Sequence, residues 1–364
     1  MDEQTAQKRL RAVRRQIRSM NLDAMILTGP ENVGYLTGFM GHDSWVVIIG
    51  RRTLLVTDSR YTEQARSECV GCRIVERKGP ITRTVADILG RAKSVRIVGV
   101  EKTCSLQIFG EMKKHIKVRF KPTARLVESM RRTKDAGEIR AISAAAAKAW
   151  QALDRTLPRL RAGMTERHAA GLLDFEMRKL GAAPSFETIM AFGANCSRNH
   201  HQPGARKLRS RDTILIDFGA KVGGYCSDTT RCFAFGGPTR FYEKVYHSVQ
   251  AAQLMAISKI RPGVRLSEID SAARNVLAER DLPDYGHGTG HGIGLQVHET
   301  PFLSKIAKGT LHAGDVVTVE PGVYIPGKLG VRIEDDILVT QTGHKILSKD
   351  RRFNFSKNKM PILI

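Results

Sequence analysis

The sequence predicts an α/β domain over residues 1–122 followed by an α+β domain over residues 123–364. Three observations carry this expectation. A length of 364 residues suggests about two domains. The first third alternates short apolar runs with helix-like segments, the pattern of a sheet interleaved with helices. From Asp135 onward, long helices are separated by strands punctuated with glycine, and this change of pattern marks a second domain.

In the first domain, residues 1–20 form a predicted amphipathic helix. Leu10, Val13 and Ile17 share one face; Lys8, Arg9, Arg11, Arg14, Arg15 and Arg18 make a solvated basic face. Ala24–Thr28 is a strand, ended by Gly29-Pro30. Trp45–Ile49 and Thr53–Thr57 follow, split by Gly50-Arg51-Arg52, and shorter strands are expected at Arg73–Val75, Arg96–Val100 and Val118–Phe120. Helices over Arg60–Glu68, Thr82–Arg91 and Ser105–Lys114 lie between them, and Pro122 marks the boundary.

In the second domain, Glu138–Leu157 is alanine-rich and helical, with Pro158 at its end. Thr165 is the N-cap of another helix, which Gly181 closes. Further helices cover Phe241–Ile260 and Ser267–Arg280. Strands are expected at Thr188–Phe192, Thr213–Ala220, Tyr225–Phe235, Val316–Glu320 and Val331–Thr340, and the basic tail after Asp350 is peripheral.

Composition narrows the function classes. A hydrophobic content of 41% and a charged content of 26% are those of a soluble globular protein. No stretch approaches the roughly 20 apolar residues of a membrane span. Met1-Asp2-Glu3-Gln4 leads into a polar run without an apolar h-region, so a cytoplasmic location is expected, with no membrane partner. The 59 basic residues against 36 acidic ones leave a net charge of +23, which raises the question of nucleic acid. The excess is spread along the chain and no nucleic-acid motif accompanies it, so that partner is not expected. Cys69 and Cys72 form one C-x-x-C without a second pair at zinc-finger spacing, and all six cysteines are read as reduced thiols.

The chemistry gathers around Gly286-His287-Gly288-Thr289-Gly290-His291-Gly292-Ile293-Gly294, followed by Val297-His298-Glu299. Glycine leaves room beside a ligand and lets the backbone turn sharply, so imidazoles are expected to meet in one small volume. Acids sit in or beside apolar strands elsewhere: Asp217 in Ile214–Gly219, Asp228 after the Gly223-Gly224 turn, Glu320 before Pro321-Gly322, and Glu334 after Val331-Arg332-Ile333. A hairpin places Asp217 and Asp228 on adjacent strands. An unpaired carboxylate in an apolar strand costs several kcal/mol of desolvation. Converging carboxylates therefore call for a cation. Oxygen donors with one imidazole suit Mn2+, Co2+, Zn2+ or Fe2+. Four negative charges suit two ions about 3.5–4 Å apart.

These residues reach a known pattern. The order Asp217, Asp228, His291, Glu320, Glu334 resembles the five-ligand dinuclear site of the pita-bread metallopeptidases, which include methionine aminopeptidase, Xaa-Pro aminopeptidase and prolidase. The strings Ile216–Ala220, Ser227–Arg231, His287–Gly294, Val319–Tyr324 and Val331–Asp335 match as well. Asn32–Phe39 and Asp58–Ala65 look like the creatinase/prolidase-type N-terminal domain, which methionine aminopeptidases lack. The resemblance thus covers nearly the whole chain and points to the proline-specific branch. It implies a creatinase-like α/β domain over 1–122 and a pita-bread catalytic domain over 123–364.

The resemblance also implies roles. Asp217 holds one metal bidentately, Asp228 and Glu334 bridge both, and His291 and Glu320 complete the other. Water activated between the ions attacks the carbonyl before proline. Glu320 is the general base and then helps protonate the leaving nitrogen. His298 stabilises the tetrahedral intermediate and takes part in proton delivery. His200 is the loop histidine near the scissile nitrogen, with His201 one register step away. His287 lines the proline pocket, and Arg332 buttresses the ligand carboxylates. The expected ions are Mn2+ or Co2+, then Zn2+ or Fe2+. The expected partners are a proline-containing peptide and a second copy of the chain, as relatives are commonly homodimers.

There are departures from the pattern. Ser197-Arg198-Asn199-His200 stands where the family often has Ala-Leu-Pro-His. Phe186 falls where some relatives have a tyrosine, so a hydroxyl near Arg332 is expected to be absent. Glu299-Thr300-Pro301-Phe302 lacks the arginine with which some prolidases hold the dipeptide carboxylate. Dipeptides and longer peptides both remain open as substrates. A metal-free creatinase-like hydrolase would have lost ligands. A non-catalytic peptide- or nucleic-acid-associated module fits the charge. All five ligands are present, which favours the peptidase.

Overall fold

A computed structural model describes residues 1–348 and the short strand Ile362–Leu363. The rest of the basic tail beyond Asp350 lies outside the described residues. The chain forms two compact units, Met1–Arg131 and Arg132–Ile364.

The first unit interleaves helices and strands: α1 (Glu3–Ser19), β1 (Ala24–Leu27), α2 (Pro30–Thr37), β2 (Trp45–Ile49), β3 (Arg52–Thr57), α3 (Thr62–Glu68), β4 (Arg73–Glu76), α4 (Ile81–Gly90), β5 (Ile97–Glu101), α5 (Leu106–His115), β6 (Arg119–Thr123) and α6 (Glu128–Arg132). The sheet runs β4-β3-β2-β1-β5-β6, antiparallel across β1, β2 and β3 and parallel elsewhere. Asp2 caps α1 by accepting from the Thr5 amide, and the helix buries Ala6, Leu10, Val13 and Ile17. Arg9 departs from the basic face. It is buried, stacked 3.9 Å from the Tyr35 ring centroid, and it donates to the Tyr35 carbonyl at 2.9 Å. Pro30 opens α2 as well as ending β1, because a first-turn proline lacks only an amide that would be unpaired anyway. Pro122 lies within β6, an edge strand that tolerates a missing N–H, and the unit runs on to Arg131.

The second unit begins with α7 (Ala136–Thr156), closed at its start by a reciprocal capping box between Asp135 and Glu138. Helix α8 (Glu166–Lys179) follows, with Thr165 accepting from the His168 amide as the sequence predicts. Then come β7 (Ala183–Pro184), β8 (Ile189–Phe192), β9 (Thr213–Phe218), β10 (Ala220–Val222), β11 (Tyr225–Cys226), β12 (Thr229–Phe235), α9 (Arg240–Ser258) and α10 (Leu266–Ala278). The remainder is strand: β13 (Gly290–Gly292), β14 (Glu299–Leu303), β15 (Val316–Val319), β16 (Gly322–Ile325), β17 (Leu329–Arg332), β18 (Asp335–Val339), β19 (His344–Ile346) and β20 (Ile362–Leu363). Two main sheets, β20-β12-β9-β8 and β14-β13-β15-β18-β19, are joined by smaller ones, β11-β10-β7 and β16-β17. Trp150 and Leu153 of α7 and Leu173 of α8 pack on Ile214, Ile216 and Phe218 of β9. Tyr246 and Val249 of α9 and Ile269 of α10 pack with Val317, Val319 and Ile337 of the other sheet.

Three long strands expected from the sequence are interrupted. Thr213–Ala220 breaks at Gly219, Tyr225–Phe235 at Ser227-Asp228, and Val331–Thr340 at Ile333-Glu334. Glu320 likewise stands just past the end of β15. Asp228, Glu320 and Glu334 thus sit where ladders stop, whereas Asp217 lies within β9, one residue before its end.

Candidate metal centre

Strand pairing brings the acids together. In the antiparallel pair β9 and β12, Asp217 faces Thr230, and Asp228 stands just ahead of β12 rather than within a strand adjacent to Asp217's, as the hairpin expectation had it. In the pair β15 and β18, Val319 faces Asp335, which sets Glu320 beside Glu334 at the ladder's end. His291 comes from β13, between β14 and β15. Its Nδ1 lies 3.1 Å from the Gly292 carbonyl, which assigns the ring proton to that nitrogen and leaves Nε2 as an electron-pair donor. That Nε2 lies 3.5 Å from Glu320 Oε1 and 3.8 Å from Asp228 Oδ2. Donor atoms of Asp228, His291 and Glu334, all buried, lie within 4.8 Å of one another.

The electrostatics fit a cation. Asp217 Oδ1 and Asp228 Oδ1 are buried without a hydrogen-bond partner. Burial, then the neighbouring Glu334 and Asp217, pushes Asp228 well above the usual carboxylate range. Burial, then Glu320 and Asp217, does the same to Glu334. Burial lifts Glu320 to about 8, with Arg332 opposing and Asp217 adding. Burial lowers His291 to about 3, so its ring is neutral. A neutral imidazole among charge-starved carboxyls is a donor set for a divalent metal.

The glycines of the 286–294 stretch act differently from the sequence expectation. None adopts a left-handed conformation. They permit close packing instead. A Cβ on Gly290 would sit 1.9 Å from the Thr318 carbonyl oxygen, and one on Gly292 would sit 2.5 Å from that of Thr300. The small residues let β13 lie between its neighbours with His291 between them.

A cavity of about 700 Å³ opens over the cluster. All five proposed ligands line it, with His200, His201, His287, His298 and Arg332. The His298 ring stands edge-on to His291, centroids 4.4 Å apart, and burial lowers its pKa. Burial, then Arg332, lowers His287 to about 4. His287 Nδ1 lies 2.8 Å from the Gly288 carbonyl and Nε2 lies 3.0 Å from the Tyr324 hydroxyl. His201 is anchored to the fully buried Glu166 at 2.8 Å, whereas the neighbouring His200 is exposed on the cavity wall.

Arg332 donates to Asp217 Oδ2 at 2.7 Å, to Thr230 Oγ1 at 2.9 Å and to the Tyr324 hydroxyl at 2.8 Å. The hydroxyl expected to be missing beside Phe186 is thus supplied from β16. Tyr324 and Thr230 had no role in the sequence reading. Each lies within a matched string, Val319–Tyr324 or Ser227–Arg231, and only the fold shows what it touches.

Comparison with known proteins agrees with this geometry. Residues 139–341 match the model of metallopeptidase family M24, and residues 9–133 match the creatinase/prolidase N-terminal domain. An uncharacterized peptidase of Bacillus subtilis, YqhT, is 37% identical over 346 residues, covering 93% of this chain and 97% of its own. Among solved structures, an Xaa-Pro dipeptidase from Bacillus anthracis has TM-score 0.93 and 35% identity, covering 98% of this chain and 100% of that one. An X-Pro aminopeptidase from Thermotoga maritima has TM-score 0.87 and 34% identity, covering 96% and 99%. A prolidase from Pyrococcus horikoshii has TM-score 0.89 and 30% identity, covering 95% and 99%. The carboxylate and histidine cluster lies within the stretch that matches a metallopeptidase family, and this chain is a member of metallopeptidase family M24 that carries a creatinase/prolidase N-terminal domain ahead of its peptidase domain.

Proposed function

We propose that this protein is a dinuclear metallo-exopeptidase that hydrolyses the Xaa-Pro bond at the N-terminus of proline-containing peptides. One observation carries the proposal: four carboxylates and His291 converge beneath a cavity bordered by His200, His287 and His298. Relatives of closely similar fold bear the names Xaa-Pro dipeptidase and X-Pro aminopeptidase, which supports proline selectivity. A proline amide has no N–H and a fixed φ, so it suits an open cleft better than a strand-like binding groove.

In this proposal Asp217, Asp228, His291, Glu320 and Glu334 would hold the two ions, with Asp217 toward one, His291 and Glu320 toward the other, and Asp228 and Glu334 shared between them. Four negative charges match two divalent ions, Mn2+ or Co2+ first and Zn2+ or Fe2+ next. The ions supply Lewis acidity and an acidified water. The chain's own residues do the rest. Glu320 accepts the water's proton and delivers it to the proline nitrogen. His298, beside His291, stabilises the developing negative charge on the carbonyl oxygen. His200 reaches the scissile nitrogen from the exposed wall. His287, held neutral by burial, walls the proline ring. Arg332 fixes Asp217 in place. The catalytic domain is assigned to residues 123–364, most of which fall in the compact unit Arg132–Ile364. A homodimer and a cytoplasmic setting belong to the same proposal; six cysteines outside any disulfide suit a reducing compartment.

The test is cleavage by protein loaded with Mn2+ or Co2+, using Ala-Pro, a longer Ala-Pro peptide, and Ala-Ala as control. Cleavage of neither proline peptide overturns the proposal. Cleavage of the dipeptide alone assigns a dipeptidase.

A further inference from the structure

One acidic side chain lines the cavity without belonging to the metal cluster. Glu187 borders it alongside Asp217 and Glu320. Its place is set by the start of β8. Ile189, at the start of β8, is the pairing partner of Asp217. The intervening Thr188 is buried and donates to Asp174 at 2.6 Å. Glu187 lies two residues ahead of Ile189, just before β8 begins. Both line the cavity. Glu187 is exposed, and among the described residues it makes no hydrogen bond or ion pair.

We propose that Glu187 forms a subsite for a positively charged side chain, lysine or arginine, on the residue whose carbonyl is attacked. This rests on the Xaa-Pro peptidase reading and names its preferred substrates. The α-amino group of that residue is two bonds from the reacting carbon, so it stays over the metal cluster. The long stem of lysine or arginine carries its charge away from the reacting carbon, along the wall where Glu187 stands. Phe186 lines the same cavity and offers apolar surface for the stem. A partly solvated ion pair of this kind changes binding by up to about fivefold, and salt weakens it.

The experiment measures kcat/KM for Arg-Pro, Ala-Pro and Glu-Pro with the metal-loaded protein. Wild type favours Arg-Pro over Glu-Pro by about fivefold, and the preference shrinks in high salt. Glu187→Gln lowers the Arg-Pro to Ala-Pro ratio by a similar factor, and Glu187→Lys shifts preference toward Glu-Pro. Unchanged ratios in both variants overturn the subsite. So does a loss on Ala-Pro that keeps step with Arg-Pro, since that places the α-ammonium at Glu187. If wild type cleaves no proline peptide, the peptidase reading itself fails, and the subsite with it.

Discussion

Thr230 Oγ1 donates to Glu334 Oε2 at 2.6 Å, and the same oxygen accepts from Arg332 Nε at 2.9 Å. A single buried hydroxyl thus orients a proposed bridging carboxylate and the arginine that holds Asp217. Replacing Thr230 with valine keeps the shape and removes both bonds. Groups that orient metal ligands typically contribute 10- to 100-fold to metal affinity. Thr230→Val should therefore bind Mn2+ about tenfold or more weakly while remaining folded. Chelator competition measures this, and unchanged affinity would remove Thr230 from the site.

Glu320 stands just past β15, with His291 Nε2 at 3.5 Å and His287 Nδ1 at 3.9 Å. Glu320→Gln keeps the size and removes the proposed base. General-base assistance contributes about 10²- to 10⁴-fold, so Ala-Pro turnover should fall at least a hundredfold with the circular dichroism spectrum preserved. Turnover near the wild-type rate would refute the assignment.

The cluster should make the metal-free protein sensitive to pH. A carboxyl whose pKa is higher in the folded state takes up a proton on folding, so stability falls as pH rises from its unfolded value to its folded one. For Glu320 that window runs from 4.5 to about 8. The lowered histidines act in the opposite direction, but only below their unfolded value of 6.5. Between about pH 7 and 8.5 the carboxyls dominate. The metal-free protein should gain a few degrees of melting temperature as pH falls across that interval. Loading with a divalent ion should flatten the dependence and raise the melting temperature at the alkaline end. A flat profile without metal would show that the cluster is not strained by its own charge.

Much of this was legible because the proposed ligands lie in short strings whose residue types carry their chemistry. Asp217 in an apolar strand and His291 among glycines are conspicuous without a fold. Interruptions were less so. Tyr225–Phe235 reads as one strand, since nothing local in Ser227-Asp228 forbids extended backbone; the break appears only because β11 and β12 pair with different sheets. The glycines were noticed for flexibility, but their reason is a neighbour distant in sequence, Thr318 against Gly290. Arg9 reads as a surface residue until the Tyr35 ring and carbonyl meet it. Tyr324 belongs to a matched string, yet its hydroxyl gains meaning only from Arg332 and His287. In each case the deciding contact is made across the fold, where periodicity carries no information.

His200 and His201 are separated by one residue step, and their surroundings predict opposite phenotypes. Glu166 is fully buried and accepts from the Phe192 amide, Asn195 and the Gly204 amide as well as pairing with His201. Removing His201 leaves a buried carboxylate short of a partner, which costs about 1–3 kcal/mol. His201→Ala should therefore lower the melting temperature by several degrees, with kcat/KM on Ala-Pro changed by about threefold or less at temperatures where it is folded. His200 is exposed, so His200→Ala should leave stability within about 0.5 kcal/mol. Its kcat/KM should fall at least about tenfold if the ring acts on the scissile nitrogen. Thermal melts and kinetics on the two variants, measured side by side, check both halves. The reverse pattern, an inert His200 and an inactive but stable His201 variant, would move the loop histidine's role to His201.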